Sequence, residues 1–394
     1  MGPAEPRVVM ALKVRDEEDV IESVLRYHRA QGVDFFIVTD NASTDRTPEI
    51  LGGWVDAGLA RVISEPSPEL RERGHEWVTR MARLAATEHG ADWVVHGDAD
   101  EFWWPLEGNL KSALAAVPPE FGVVLAPRVE FVARPDGHGT FFDRLVYREA
   151  RSMLRPKIAH RALADVIVLH RGQHDVTAGA DAEDAWQRLR APGRPVLRTV
   201  RPEGTSEAED RLVWYPRWPL RIFHLPLRSF DQYRRKVEAL LEDPVSAGGG
   251  MRGRLRERYE AGRLDELYAE LTEDDEAVER GVADGRLVRD ERLRDFMAAV
   301  GDPLGGNPPP SGPARARAVI ESERAELEFD AMQVLARTER MLMIRHDRAR
   351  AQAHELAVEV ERLRAKARRP RRRRPLLRRI RRRVGRVLGR RPDA

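Results

Sequence analysis

An α/β fold with a mainly parallel sheet is what this sequence predicts, on three observations. Short β-rich apolar runs alternate with stretches whose apolar residues recur at helical spacing. Turn and capping residues punctuate each change from one to the other. Acidic clusters stand just past the ends of three of the apolar runs, at the edge where open α/β sheets bind ligands.

The first strand is Val8 to Val14, followed by Arg15-Asp16-Glu17-Glu18-Asp19. Asp16 is the expected N-cap of a helix carrying Val20, Ile21, Val24 and Leu25, with His28 at its surface or at an interface. Gly32 closes that helix. Phe35 to Thr39 is a second strand, ending in Asp40-Asn41-Ala42-Ser43-Thr44-Asp45-Arg46-Thr47-Pro48. That run makes a turn and then a capped helix start with proline in its first turn, Asp45 serving the cap. Ile50, Leu51, Trp54 and Val55 give the next helix its apolar face, and Ala60 to Ser64 is a third strand. From Glu69 to His89 the pattern is helical, with Trp77, Met81, Leu84 and Ala85 facing inward. Trp93 to His96 is a fourth strand and Val123 to Ala126 a fifth.

The fourth strand runs into Gly97-Asp98-Ala99-Asp100-Glu101 and then Phe102-Trp103-Trp104. Carboxylates this close repel one another unless a cation or a solvated loop keeps them ionised. Hard oxygen ligands at a strand end suit Mg²⁺ or Mn²⁺. An acidic surface turn before core aromatics is the alternative. Asp16, Asp40 and Asp98 with Asp100 arrive on one rim, which favours a metal and nucleotide site, and helix N-termini there would favour a phosphate. Trp103 and Trp104 read as core packing ahead of a sugar-stacking platform.

Arg15-Asp16-Glu17, Asp40-Asn41-x-Ser43-x-Asp45-x-Thr47 and Asp98-x-Asp100-Glu101-Phe102, each after a strand, resemble the family 2 type of glycosyltransferases. The bacterial branch with an Asp-x-Asp-Glu-Phe motif is the nearest in pattern. The resemblance covers roughly residues 7 to 235, with its clearest motifs before residue 105. It implies a GT-A fold, a nucleotide-diphosphate sugar donor, a divalent cation and mostly inverting transfer. Carried over, it places Arg15, Asp16, Asp40, Asn41 and Asp98 at the nucleotide-sugar, and Asp98 and Asp100 at the metal and diphosphate. A cation there neutralises charge that grows on the leaving nucleoside diphosphate.

Later signals are weaker. His174 and His224 each follow a strand-like run, and the resemblance implies that one of them completes the metal site. A structural histidine bonded to a loop competes with that reading. Arg155, Lys157, Arg221 and Arg228 are candidate diphosphate contacts. Inverting transfer needs a base for the acceptor hydroxyl. Glu183-Asp184 sits in what reads as a mobile insertion, so Glu130, Asp143 and Asp175 remain as base candidates.

The expected organisation is a GT-A domain over residues 1–235, a helical subdomain over 236–300 and a Pro/Gly linker over 301–313. A long helix over 314–367 follows, with Leu335, Leu342, Ala349, Leu356 and Leu363 every seventh residue. That is a coiled-coil seam and a route to a homo-oligomer, or else one helix docked on the body. The tail, 368–394, is a basic amphipathic helix. Residues 368–391 hold 14 arginines and no acid, so the net charge of +3 leaves −11 for the remainder. Apolar residues on one face favour an anionic membrane surface over nucleic acid.

The chain has no cysteine, which excludes disulfides, zinc–thiolate sites and thiol nucleophiles. No signal-peptide pattern opens it, and no run approaches the roughly 18 apolar residues of a span. The expectation is a cytoplasmic protein, peripheral on the inner face of the membrane, that transfers sugar to a glycan or lipid-linked acceptor. The alternative is a non-catalytic membrane-associated scaffold built on the same domain and a coiled coil.

Overall fold

Strand β1 (Val8–Val14) lies inside a six-stranded sheet, and its side chains alternate between two cores. Val8, Met10 and Leu12 pack with Val24, Leu25, Phe36, Leu51 and Trp54 on one face of the sheet. Val9 and Ala11 pack with Ile37, Val78, Met81, Ala82 and Ala85 on the other. Both faces are covered, which is why the strand reads as one apolar run. The protein is known from a computed structural model that describes residues 5–66, 70–151, 156–168, 176–178, 212–242, 251–300, 320, 321, 323 and 324.

β1 pairs in parallel with β2 (Phe35–Asp40) and β4 (Trp93–Asp98), and β3 (Ala60–Ser64) adds in parallel to β2. The connecting helices are α1 (Ile21–Ala30), α2 (Thr47–Asp56) and α3 (Leu70–Thr87). Beyond β4 the sheet turns mixed: β9 (Lys157–Arg161) runs antiparallel to β4 and to β6 (Val123–Ala126). The six-stranded order is β3-β2-β1-β4-β9-β6. The architecture is therefore the mixed α/β fold with a mainly parallel central sheet that the sequence predicts.

A second sheet sits beside the acidic end of β4. Its strands are β5 (Glu101–Pro105), β7 (Arg128–Glu130) and β12 (Leu220–His224), in the order β5-β12-β7. The aromatic run after Asp100 is thus a strand. Trp103 is fully buried and donates from Nε1 to the His96 carbonyl at 3.0 Å. Trp104 stacks on Phe223 with centroids 5.1 Å apart. Both are packing residues.

Short pairs complete the described strands: β10 (Val166–Val168) with β11 (Val176–Ala178), and β8 (Tyr147–Glu149) with β13 (Leu287–Arg289). The helical pattern after residue 230 becomes α6 (Phe230–Glu242), α7 (Met251–Glu260), α8 (Leu264–Leu271), α9 (Asp275–Ala283) and α10 (Arg292–Ala299). The small helices α4 (Leu110–Ala115) and α5 (Phe141–Arg144) precede them in the chain. Helix α6 runs straight across residues 235 and 236, where a domain boundary was expected. The expected linker, long helix and tail lie outside the described residues, apart from 320, 321, 323 and 324. Among the described residues no helix is long and apolar enough to cross a membrane.

Two local expectations need correction. Asp16 is not an N-cap: α1 begins after Val20, and Asp16 sits in the left-handed region at φ 54°. Of the two positions expected for His28, the surface one fails and the interface one holds: it is fully buried between α1 and β5, its Nδ1 2.8 Å from the Val24 carbonyl. Its Nε2 accepts from the Trp103 amide at 3.2 Å, which fixes the Nδ1–H tautomer.

Candidate functional site

The carboxyl ends of β1, β2 and β4 lie side by side, since register pairs Val14 with Asp40 and Lys13 with Asp98. Topology alone therefore brings Arg15, Asp16, Asp40, Asn41 and Asp98 to one edge. The first two loops are laced together. Asp16 Oδ1 accepts from the Thr44 amide at 2.7 Å, and the Asp16 amide donates to Ser43 Oγ at 2.9 Å. The Glu17 amide donates to Thr47 Oγ1 at 2.9 Å, and the Glu18 amide to Asp45 Oδ2 at 3.0 Å. Asp45 also accepts from the Thr47 amide at 2.9 Å, a local turn bond just ahead of α2; the N-cap position itself is Arg46, so Asp45 is not the cap residue expected. Asp40 Oδ1 accepts from Ser43 Oγ at 2.5 Å, and Asn41 Nδ2 donates to the Glu65 carbonyl at 3.0 Å. Ala42 takes φ 55°, a conformation costly for an alanine and commonest where a loop is shaped for a task.

Asp98 is fastened by lysines. Lys157 Nζ lies 2.7 Å from its Oδ2, and Lys13 Nζ 3.5 Å from its Oδ1. Burial opposes its charge, yet Lys157 and then Lys13 hold its pKa well below the usual carboxylate range. Glu101 backs the same knot. It accepts from the Asp98 amide at 3.0 Å, from Arg128 at 3.1 Å and from Lys157 at 2.6 Å. Glu101 is thus the residue that anchors the motif from beneath. Lys157, expected at a diphosphate, is fully buried in this role.

Asp100 faces a different group. His224 Nε2 lies 3.6 Å from Asp100 Oδ1, and His224 Nδ1 lies 3.4 Å from Glu130 Oε2. Register explains the row: His224 on β12 pairs with Glu101 on β5 and with Glu130 on β7. Burial lowers the His224 pKa, but Asp100 and then Glu130 outweigh it and the net shift is upward. Asp100 stays ionised: burial raises its pKa, and Lys236, His224 and Arg228 pull it far below normal. A carboxylate behind a histidine is the arrangement that orients a metal-ligating imidazole.

Among the described residues, no three His, Asp or Glu side chains converge as a metal centre. Asp100 and His224 still fit a hard divalent ion, since Mg²⁺ keeps several waters and needs few protein ligands beside phosphate oxygens. Asp98, with its oxygens held by two lysines, fits less well.

The remaining candidates fall elsewhere. Asp143 closes a capping box at the start of α5, accepting from the Thr140 amide at 2.8 Å and hydroxyl at 2.9 Å. Glu130 lies 3.4 Å from His224 Nδ1, too loosely for a formed hydrogen bond. Arg228 is buried and bonds Asp19 at 2.7 Å and Glu17 at 2.5 Å, so it ties the β1–α1 loop to the start of α6. Arg221 lies 3.7 Å from Glu323, in a cluster with Arg292 and Asp290. Arg155, His174, Asp175 and Glu183-Asp184 lie outside the described residues. Sequence reading missed Lys13, Lys236 and Arg235. Lys13 had a signal, being the one charge inside an apolar strand; the two helix residues had none, because only folding sets which carboxylate they meet.

No protein-family model matches this chain, and no curated protein does. Solved structures are similar in part. One described as a mycobacterial protein is 28% identical, covering 32% of this chain and 42% of its own, at a TM-score of 0.23. S. aureus TarS 1-349 in complex with UDP is 14% identical over 85% of this chain and 91% of its own, at 0.30. Glucosyl-3-phosphoglycerate synthase from Mycobacterium tuberculosis, in complex with Mg²⁺ and UDP, is 26% identical over 32% of this chain and 44% of its own, at 0.22. These scores carry no activity over, and no family assignment follows.

Proposed function

We propose that this chain is a glycosyltransferase of GT-A fold that takes a sugar from a nucleotide-diphosphate donor, with a divalent cation, by inverting transfer. The carrying observation is the convergence of Asp16, Asp40 with Asn41, and Asp98 with Asp100 at the carboxyl edge of three adjacent parallel strands. That edge is where α/β sheets bind nucleotides. Asp100 and His224 would hold Mg²⁺ or Mn²⁺, which neutralises charge on the departing diphosphate. Glu130 would keep the His224 Nδ1–H in place. Lys157 and Lys13 fix Asp98 as the wall of the site beside it. A lipid-linked or glycan acceptor at the inner membrane face is part of the proposal, through the basic tail.

The test is a thermal-shift screen of nucleotide-sugars with and without Mn²⁺, since a ligand that binds only the native state raises the melting temperature. Asp100→Ala should lose the Mn²⁺-dependent shift and keep its own cooperative melt. An undiminished shift in that variant would sink the proposal.

A further inference from the structure

Asp100 already carries a cation. Lys236 Nζ lies 2.9 Å from its Oδ2 and 3.2 Å from the Pro226 carbonyl. The Asp100 side chain is 9% exposed and that of Lys236 is 46% exposed. His224 approaches the same carboxylate through Oδ1. A divalent ion held by Asp100 and His224 would therefore share one buried carboxylate with an ammonium group, and like charges at such range repel strongly.

The helix bearing Lys236 is not free to withdraw. Arg228, just ahead of α6, holds Glu17 and Asp19, and Arg235 holds Glu18 at 2.6 Å. The Gln232 side chain closes the same corner, accepting from the Arg228 amide at 3.3 Å and donating to the Pro226 carbonyl at 3.3 Å. The lysine side chain can move where its helix cannot. Its flexible stem reaches solvent, and its compact charge re-pairs readily with a phosphate oxygen. Lys157 and Lys13 differ, being built into strands and mostly or fully buried.

We propose that Lys236 is a resident counter-cation of the donor site, neutralising Asp100 until a nucleoside diphosphate and a divalent ion enter together and then moving to the diphosphate. The inference rests on the nucleotide-sugar reading above. Its consequence is linkage. The ion alone meets an occupied carboxylate and binds poorly, whereas the diphosphate draws the lysine away and strengthens ion binding. The ion must then strengthen diphosphate binding by the same factor.

Titrating Mn²⁺ against the full chain, with and without UDP, and following the free ion by electron paramagnetic resonance tests this directly. Lys236→Met should bind Mn²⁺ alone about tenfold or more tighter than the parent, on the order of the coupling expected between linked sites. The strengthening by UDP should shrink to match. Lys236→Arg keeps the charge and should resemble the parent, and Lys236→Gln serves if the Met variant folds poorly. A lysine that merely braces α6 would lower the melting temperature and leave Mn²⁺ affinity unchanged. If the parent binds Mn²⁺ with UDP through Asp100 while Lys236→Met gains nothing, the inference is overturned and the donor-site reading stands. If no form binds Mn²⁺ or UDP, both are overturned.

Discussion

Among the described residues, three buried histidines bear on how the protein meets acid. Burial holds His28 at about 3 and His160 at about 4, and it lowers His96 well below normal, with His160 adding to that. His96 and His160 share a hydrogen bond, Nε2 to Nε2, of 2.9 Å. A histidine kept neutral in the fold favours folding above its unfolded pKa of 6.5 and loses that contribution as pH falls towards the folded value. At about pH 5 His28 and His160 would each cost about 2 kcal/mol relative to neutral pH, and His96 acts in the same direction. His224 works the other way, contributing most below 6.5 and losing it as pH rises through its raised pKa. With the buried neutral histidines outweighing His224, the urea midpoint should drop between about pH 7.5 and about pH 5. Equal midpoints would contradict the buried neutral assignments.

At the scale of elements, loops are joined to helices by a few buried ions. Arg228 is the main one, its guanidinium 1% exposed and bound to two carboxylates of the β1–α1 loop. Removing one partner of a buried pair typically costs 3–5 kcal/mol. Both carboxylates keep some access to water, so Arg228→Met should cost about 3 kcal/mol, read from urea denaturation. It should also loosen nucleotide binding, because the same loop carries Asp16. A change below about 0.5 kcal/mol would show that the loop does not depend on it. Gly32 plays a quieter part: its φ of 92° ends α1, and a Cβ there would stand 2.8 Å from Lys111 Cβ. The sequence reading of that glycine as a helix stop was correct.

Taken as a whole, the chain separates its charges. Fourteen arginines between residues 368 and 391 stand against a net −11 in the remainder. Each basic residue near an anionic surface contributes on the order of 1 kcal/mol, so even partial engagement would hold the protein there. Deleting residues 368–394 should abolish co-sedimentation with anionic vesicles and leave nucleotide-sugar binding intact. Continued sedimentation of the truncated chain would refute a membrane role for the tail.

The sequence by itself determined the parallel strands β1 to β4, their helices and the acidic residues at their ends. Those features are local: periodicity, turn chemistry and a carboxylate one or two residues past a strand do not depend on distant partners. It could not show that Phe102 to Trp104 belong to a strand, because an apolar run in a buried strand and one in a core helix look alike. Nor could it separate Asp98 from Asp100. They are two residues apart, yet one is pinned by Lys13 and Lys157 and the other faces His224 and Lys236. Those partners lie up to 136 residues away in sequence, and only strand register and the packing of α6 select them.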